Sequence, residues 1–165
     1  MIAKFKSRLP YAILIFAIVG LDRWTKWLIH SRLLLNQTIP IIAGFFNITY
    51  VRNTGVAFGI FSSLSSPSKS LLLSAFAAAA AIMVIIYSLR SPSGNRLLQT
   101  ALALILGGAL GNLYDRLTYG YVIDFLELYA GEYRWPAFNA ADTAITTGVA
   151  LLILEIIRNE APDRA

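Results

Sequence analysis

The chain has 165 residues, of which 57% are hydrophobic, and its mean hydropathy is +0.63. This apolar share exceeds the roughly 45–50% of ordinary soluble domains and indicates a membrane protein with little room for a soluble domain. The net charge of +5 is spread over both termini and a central turn, which argues against nucleic-acid binding. The chain has no cysteine and one histidine, His30, which excludes disulfides and disfavours a histidine metal cluster.

The first predicted span covers residues 9–29, which are apolar except for three charged residues in the second half. A basic N-terminus before an apolar run is also the pattern of a secretory signal peptide. However, no small-residue cleavage site follows, and Trp24 and Trp27 continue the run. An uncleaved membrane anchor is therefore the preferred interpretation.

Residues 33–69 form a mixed segment after the first span. Its middle, residues 45–61, is rich in aromatic and β-branched residues and is interrupted by Gly55 and Gly59. This pattern predicts short strands and a turn rather than a span. The cluster SSLSSPSKS that follows, residues 62–70, predicts a loop.

Three further spans are predicted, at residues 71–89, 97–114 and 143–157. The first of these has no charged residue over a bilayer-crossing length. A short basic turn, residues 90–96, separates it from the next span. Residues 115–142 predict a polar loop before the last span.

Four spans would place both termini on the same side of the membrane. The N-terminus, the turn at residues 90–96 and the C-terminal tail are short and rich in Lys and Arg, so the positive-inside rule predicts that all three are cytoplasmic. Residues 33–69 and 115–142 would then face outward. The sequence thus predicts an all-α integral membrane protein that forms a single membrane domain, residues 1–165.

Three carboxylates, Asp115, Asp124 and Asp142, lie in or beside the second outward segment. An ionisable group near hydrocarbon costs several kcal/mol unless it is paired, so each is a functional candidate. Asp115 has an alternative role in a local ion pair with Arg116, and Asp142 has one as a helix N-cap. Asp124, in VIDFLELY, has apolar neighbours and no basic residue beside it, which favours function.

Two carboxylates held together beside a membrane cannot both ionise cheaply. One then keeps a proton while the other acts as a base toward water, as in an aspartic peptidase. The sequence contains neither a convincing Ser/His pair nor a glycine-rich phosphate loop.

Other polar residues are candidates for supporting such a site. Asp22 and Lys26 are four residues apart on the first predicted helix, a spacing that allows them to form a salt bridge. Asn53 and Asn112 have side-chain amides that could hydrogen-bond a peptide backbone. A turn or cap role explains either asparagine equally well.

Two alternative functions remain open on these residues alone. A small transporter or channel subunit would use intramembrane Asp22, Lys26 and Asp115, but it also predicts an internal repeat that the sequence lacks. A non-catalytic assembly factor would use the small-residue face formed by Gly107 and Gly111. Such a face more commonly mediates close helix packing, which would help to position a nearby site.

Five segments together resemble the conserved blocks of bacterial lipoprotein signal peptidase, also called signal peptidase II. They follow the order of that family over nearly the whole chain: DRWTK (22–26), VRNTGVAF (51–58), GGALGNLYDR (107–116), VIDF (122–125) and FNAAD (138–142).

The resemblance implies an inner-membrane aspartic endopeptidase with four transmembrane helices. A small extracytoplasmic β-structured cradle would correspond to the stretch around residues 45–61. Such an enzyme cleaves diacylglyceryl-modified prolipoproteins on the amino side of the lipidated cysteine. The implied partners are this substrate, membrane lipid and the inhibitor globomycin, and we expect a monomer that needs no metal or other cofactor.

The resemblance also implies which residues form the site. Asp124 and Asp142 match the catalytic pair. The positions that would line or brace this pair are Asn53, Asn112, Arg116, Asn139, Asp22, Lys26 and Asp115.

Overall fold

The structure is a computed structural model that describes residues 7–55 and 66–160. This part of the chain contains four helices and four strands, in the order α1 (Leu9–Arg32), β1 (Thr38–Ile42), β2 (Phe46–Asn53), α2 (Ser66–Arg90), α3 (Arg96–Tyr119), β3 (Val122–Ala130), β4 (Tyr133–Arg134) and α4 (Ala140–Glu160). The strands form one antiparallel sheet in the order β1-β2-β3-β4.

Three helices contain segments that are long and apolar enough to cross a membrane: Ser70–Arg90, Arg96–Tyr119 and Ala140–Asn159. In the part of the chain that the structure describes, α1 is not among these segments. The predicted span at residues 9–29 is helical, but Asp22, Arg23 and Lys26 lower its hydropathy. Four transmembrane helices therefore remain a prediction.

Helix α3 is the centre of the bundle and packs against α1, α2 and α4. A Cβ atom at Gly107 would lie 2.9 Å from the Cβ of Ile18, and one at Gly111 would lie 2.7 Å from a carboxylate oxygen of Asp22. The predicted packing role of Gly107 and Gly111 is thus confirmed, because only a residue without a side chain allows α1 to approach this closely.

Local chemistry fixes both ends of α3. The side chain of Asn95 accepts a hydrogen bond from the backbone amide of Leu98 and so caps the first turn. Gly120 follows the last turn with φ at 77°, a conformation that glycine adopts without strain. Asp115 and Arg116 consequently lie inside the helix, beyond the end of the predicted span at residues 97–114.

The sheet lies at one end of the helical bundle. Strands β2 and β3 pair antiparallel, so that Val51 is opposite Asp124 and Asn53 is opposite Val122. Behind them, α1, β2 and β3 contribute to a buried apolar cluster. It consists of Ile29, Tyr50, Ile123 and Phe125. This cluster ties the sheet to the end of α1.

The structure corrects several sequence-based boundaries. Residues 115–142 are not a polar loop, because they contain the end of α3, all of β3 and β4 and the start of α4. Residues 66–70 of the predicted loop SSLSSPSKS belong to α2. The predicted strands at residues 45–61 are confirmed by β2, and residues 56–61 lie outside the described residues. The last helix begins at Ala140, so Asp142 lies within it.

Candidate active site

Asp124 lies on β3 and is 2% exposed. Its two carboxylate oxygens each accept one side-chain amide hydrogen bond, from Asn53 Nδ2 at 2.9 Å and from Asn139 Nδ2 at 2.7 Å. The pKa of Asp124 is raised from 3.8 to about 6: burial raises it most, the hydrogen bond from Asn53 lowers it, and the charge of Asp142 raises it. A carboxyl group with this pKa is half protonated near pH 6.

Asp142 lies in the first turn of α4, where it forms hydrogen bonds with Asn139, the residue that caps the helix. The backbone amide of Asp142 donates to Asn139 Oδ1 at 3.0 Å, and that of Asn139 donates to Asp142 Oδ2 at 3.1 Å. This reciprocal pattern is a capping box. The interpretation of Asp142 as the N-cap is therefore wrong, because Asn139 occupies that position. The second carboxylate oxygen of Asp142 accepts from Asn112 Nδ2 at 2.7 Å.

Two asparagines connect the two aspartates. Asn139 Nδ2 donates to Asp124 and also to Asn112 Oδ1, at 3.1 Å, and Asn112 in turn donates to Asp142. Asn139 and Asn112 are both buried. The carboxylates of β3 and α4 are thus joined by an unbroken chain of side-chain hydrogen bonds.

A buried ion cluster lies on the other side of Asn112. Lys26 Nζ is 2.9 Å from Asp22 Oδ2 and 2.9 Å from Asp115 Oδ2, and all three side chains are fully buried. Arg23 also forms a salt bridge with Asp115. The predicted pairing of Asp22 with Lys26 is confirmed.

The local ion pair of Asp115 with Arg116 is not observed, and the salt bridges of Asp115 are made with α1 instead. Successive residues on a helix point in different directions, so neighbours in sequence do not face each other. Arg116 is half-buried and interacts electrostatically with Asp142, Asp124 and Asp115.

The structure therefore brings all nine predicted site residues to one end of the bundle. Eight share hydrogen bonds or salt bridges, and Arg116 contributes its charge. Sequence reasoning missed Arg23, whose guanidinium also lies 4.4 Å from the ring centre of Tyr114. Its position next to Asp22 in DRWTK was the available signal.

An open cavity of about 370 Å³ lies beside Asp142. Its other lining residues are three threonines of α4 and three apolar side chains from the sheet region: Thr143, Thr146, Thr147, Leu128, Trp135 and Phe138. Asp142 is half-buried, whereas Asp124 is buried. The arrangement can therefore give water access to Asp142 and allow Asp124 to hold a proton up to about pH 6. Among the described residues, no group of three or more His, Asp or Glu side chains could hold a metal ion.

Comparisons with known proteins show which family the chain belongs to. Residues 14–158 match the family model described as signal peptidase (SPase) II. A lipoprotein signal peptidase of Syntrophus aciditrophicus (strain SB) is 41% identical over 143 residues, which is 87% of this chain and 89% of the relative. One from Desulforapulum autotrophicum is 42% identical over 146 residues, covering 88% and 90% of the two chains.

Two solved structures share the fold, and both are described as bacterial membrane enzymes. The first superposes with a TM-score of 0.83 at 29% identity and covers 94% of this chain and 92% of its own. The second has a TM-score of 0.81 at 30% identity, with coverages of 93% and 94%. The resemblance of the five sequence segments is thus confirmed over most of the chain, and the chain belongs to the signal peptidase II family.

Proposed function

We propose that this chain is a membrane aspartic endopeptidase that cleaves diacylglyceryl-modified prolipoproteins on the amino side of the lipidated cysteine. Its family membership establishes cleavage of lipoprotein signal peptides. The observation that carries the catalytic type is the hydrogen-bonded link between Asp124 and Asp142 through Asn139 and Asn112. Asp142 borders the cavity that a substrate could enter.

In the proposed mechanism the two aspartates share one proton and have different tasks. Asp142, which borders the open cavity, accepts a proton from a water molecule whose oxygen attacks the scissile carbonyl carbon. Asp124, whose pKa is raised by burial, donates its proton to the carbonyl oxygen. When the tetrahedral intermediate collapses, the proton on Asp142 passes to the departing cysteine nitrogen. Asp124 recovers its proton from the intermediate's hydroxyl group, so the shared proton is restored.

Four transmembrane helices with both termini in the cytoplasm are part of this proposal, as is a single membrane domain over residues 1–165. The charged residues of α1 that lie toward the bundle support its membrane insertion, since Asp22 and Lys26 are 0% exposed. Large apolar residues occupy its outer face, among them Phe16 and Trp24. The helix has 24 residues and is about 36 Å long, enough to cross a hydrocarbon core of about 30 Å.

The location of the aspartates fits a lipid-anchored substrate. Both lie where helices meet the sheet, at one end of the bundle. A prolipoprotein keeps its acyl chains and its apolar signal helix in the bilayer, so its scissile bond must lie near the headgroups. We place this end at the outer face of the bacterial inner membrane, with the sheet as the extracytoplasmic cradle. We also propose that the protein is a monomer, that globomycin inhibits it and that it needs no metal.

The proposal is tested by cleavage of a diacylglyceryl-modified prolipoprotein with purified protein in detergent. We expect Asp124→Asn and Asp142→Asn each to lower kcat by at least about a thousandfold, on the order of the loss when a catalytic group is removed. Glu127→Gln is the matched control, because it makes the same change on the same strand in a residue paired with Arg134. Near-normal cleavage by either folded aspartate variant would refute the assignment of the pair.

A further inference from the structure

We propose that Lys26 is a positioning residue for the reaction: its ammonium group fixes the orientation of the Asn112 amide, and through it the position of Asp142. This inference rests on the proposed function of the aspartate pair. It adds a role for the buried ion cluster in the reaction. The salt bridges within the cluster do not explain that role.

Three side-chain oxygens lie close to the ammonium group of Lys26. An ammonium group has three N–H donors and no acceptor. In the part of the chain that the structure describes, Lys26 Nζ has three oxygen partners, each at 2.9 Å: Asp22 Oδ2, Asp115 Oδ2 and Asn112 Oδ1. Of these three contacts, the one with Asn112 Oδ1 has hydrogen-bond geometry, whereas Asp22 and Asp115 are ion-pair partners, and Asp22 Oδ2 has no hydrogen-bond partner among the described residues. The ammonium group therefore directs a donor to a neutral amide that adjoins the aspartate pair.

The charges of the cluster balance without Asn112. Asp22 and Asp115 carry two negative charges, and Lys26 and Arg23 carry two positive charges. Neutralising the carboxylates requires only these salt bridges. The contact from Lys26 to Asn112 adds nothing to that balance, so it needs another explanation.

The two ends of the Asn112 amide face different kinds of partner. Its oxygen accepts from Lys26 Nζ and from Asn139 Nδ2, at 2.9 and 3.1 Å, while its NH₂ group donates to Asp142 Oδ1 at 2.7 Å. A flipped amide would place its NH₂ group against two donors and its oxygen against a carboxylate. Lys26 cannot accept a hydrogen bond, so it permits only the orientation that directs the NH₂ group to Asp142.

Fixing this amide would matter for catalysis because Asp142 must be held in line with a water molecule and the scissile carbonyl. Asn112 is buried and provides the hydrogen bond to the oxygen of Asp142 that the capping box leaves free. Without Lys26, the carboxylate could rotate away from its working position while α4 remains capped.

The test separates positioning from neutralisation with a charge-balanced pair of substitutions. Lys26→Met combined with Asp22→Asn removes one charge of each sign and leaves Arg23 with Asp115. In the wild type the backbone amide of Ala141 donates to Asp22 Oδ1 at 3.1 Å. An asparagine at position 22 keeps an oxygen that can accept this hydrogen bond. Asp22→Asn alone is the matched control.

We expect the balanced pair to regain the Tm that Lys26→Met alone loses, while kcat stays about 100-fold below the control, the size of loss caused by misplacing a reacting group. KM for the prolipoprotein should change little. A kcat close to that of the control would show that Lys26 only neutralises charge, and would overturn the proposal.

A second measurement asks whether Lys26 acts through Asn112. In an Asn112→Ala background, adding the balanced pair should lower kcat by no more than about twofold relative to adding Asp22→Asn alone, since a shared route makes the effects non-additive. Full additivity would overturn the proposal.

If the first balanced pair does not fold, Lys26→Leu with Asp22→Asn provides a second one, which again leaves Arg23 with Asp115. Failure of both to fold would make Lys26 a folding residue and would also overturn the proposal. The proposed function has a separate test, because wild-type cleavage and its loss in Asp124→Asn do not depend on the result for Lys26.

Discussion

Asn139 and Asp142 form two hydrogen bonds with each other: the backbone amide of each donates to a side-chain oxygen of the other, at 3.1 and 3.0 Å. The same Asn139 side chain donates to Asp124 at 2.7 Å. The residue that caps α4 therefore also positions Asp124, the other aspartate of the pair, which lies on β3. Helix capping and the geometry of the proposed catalytic pair depend on one side chain.

Substitutions at Asn139 should separate these two roles. Asn139→Ser keeps a capping oxygen but loses the amide donors to Asp124 and Asn112, whereas Asn139→Ala loses both functions. We expect both variants to lose at least about 100-fold in kcat through misplacement of the pair. The alanine variant should also be less stable than the serine variant by about 1 kcal/mol. Thermal unfolding and cleavage assays on the same samples check this, and an active serine variant would contradict it.

The pH dependence of kcat/KM should identify the aspartate that carries the proton. Because burial raises the pKa of Asp124 to about 6, we expect activity to fall as pH rises above about 6 and Asp124 loses its proton. Asn53→Ala removes a donor that lowers this pKa, so the fall should move to higher pH.

Asn47→Ala is the matched control for Asn53→Ala, because Asn47 lies on the same strand and donates to Glu127 at 2.6 Å. It should leave the pH profile in place. A loss of activity below, rather than above, about pH 6 would reverse the roles and make Asp124 the base.

The stability of the protein should also depend on the protonation of Asp124. The folded-state pKa is above the ordinary value of 3.8, so its stabilising contribution is complete below pH 3.8 and is lost as pH rises through about 6. Asp124→Asn does not titrate at this position. Its free energy of unfolding should therefore rise relative to wild type by up to about 3 kcal/mol between about pH 4 and about pH 8. Thermal unfolding in detergent across this range measures the difference, and a constant difference would count against a raised pKa.

Gly108 should tolerate no side chain, because a Cβ there would lie 2.3 Å from the backbone oxygen of Ala141 in α4. We expect Gly108→Ala to destabilise the protein by about 1–3 kcal/mol, as overpacking does elsewhere, and to lower activity by displacing the start of α4. Gly20→Ala is the control: Gly20 lies on α1, and a Cβ there would meet nothing within 4 Å, so alanine should be neutral or stabilising. Equal Tm values for the two variants would contradict the close approach of α3 and α4.

Part of the site was predictable because local sequence carries the physical signal. Asp124 has apolar neighbours in VIDFLELY, which made it a functional candidate, and in the structure its carboxylate is buried. The spacing of Asp22 and Lys26 on one helix predicted their salt bridge, and Gly107 and Gly111 predicted close packing. Each of these inferences depends on residues that lie within one or two helical turns, or on one strand.

By itself, the sequence determined the apolar helical segments, the strand tendency within residues 45–61, where β2 forms, and the membership of a family through its ordered blocks. The tertiary structure alone decided that Asp115 pairs with α1 rather than with Arg116, and that Asn139 and Asn112 join the two aspartates. Lys26 and Asn112, for example, are 86 positions apart in the chain. Such contacts follow from how whole helices and strands pack, and hydrophobic period and local spacing do not encode which polar side chains meet across that packing.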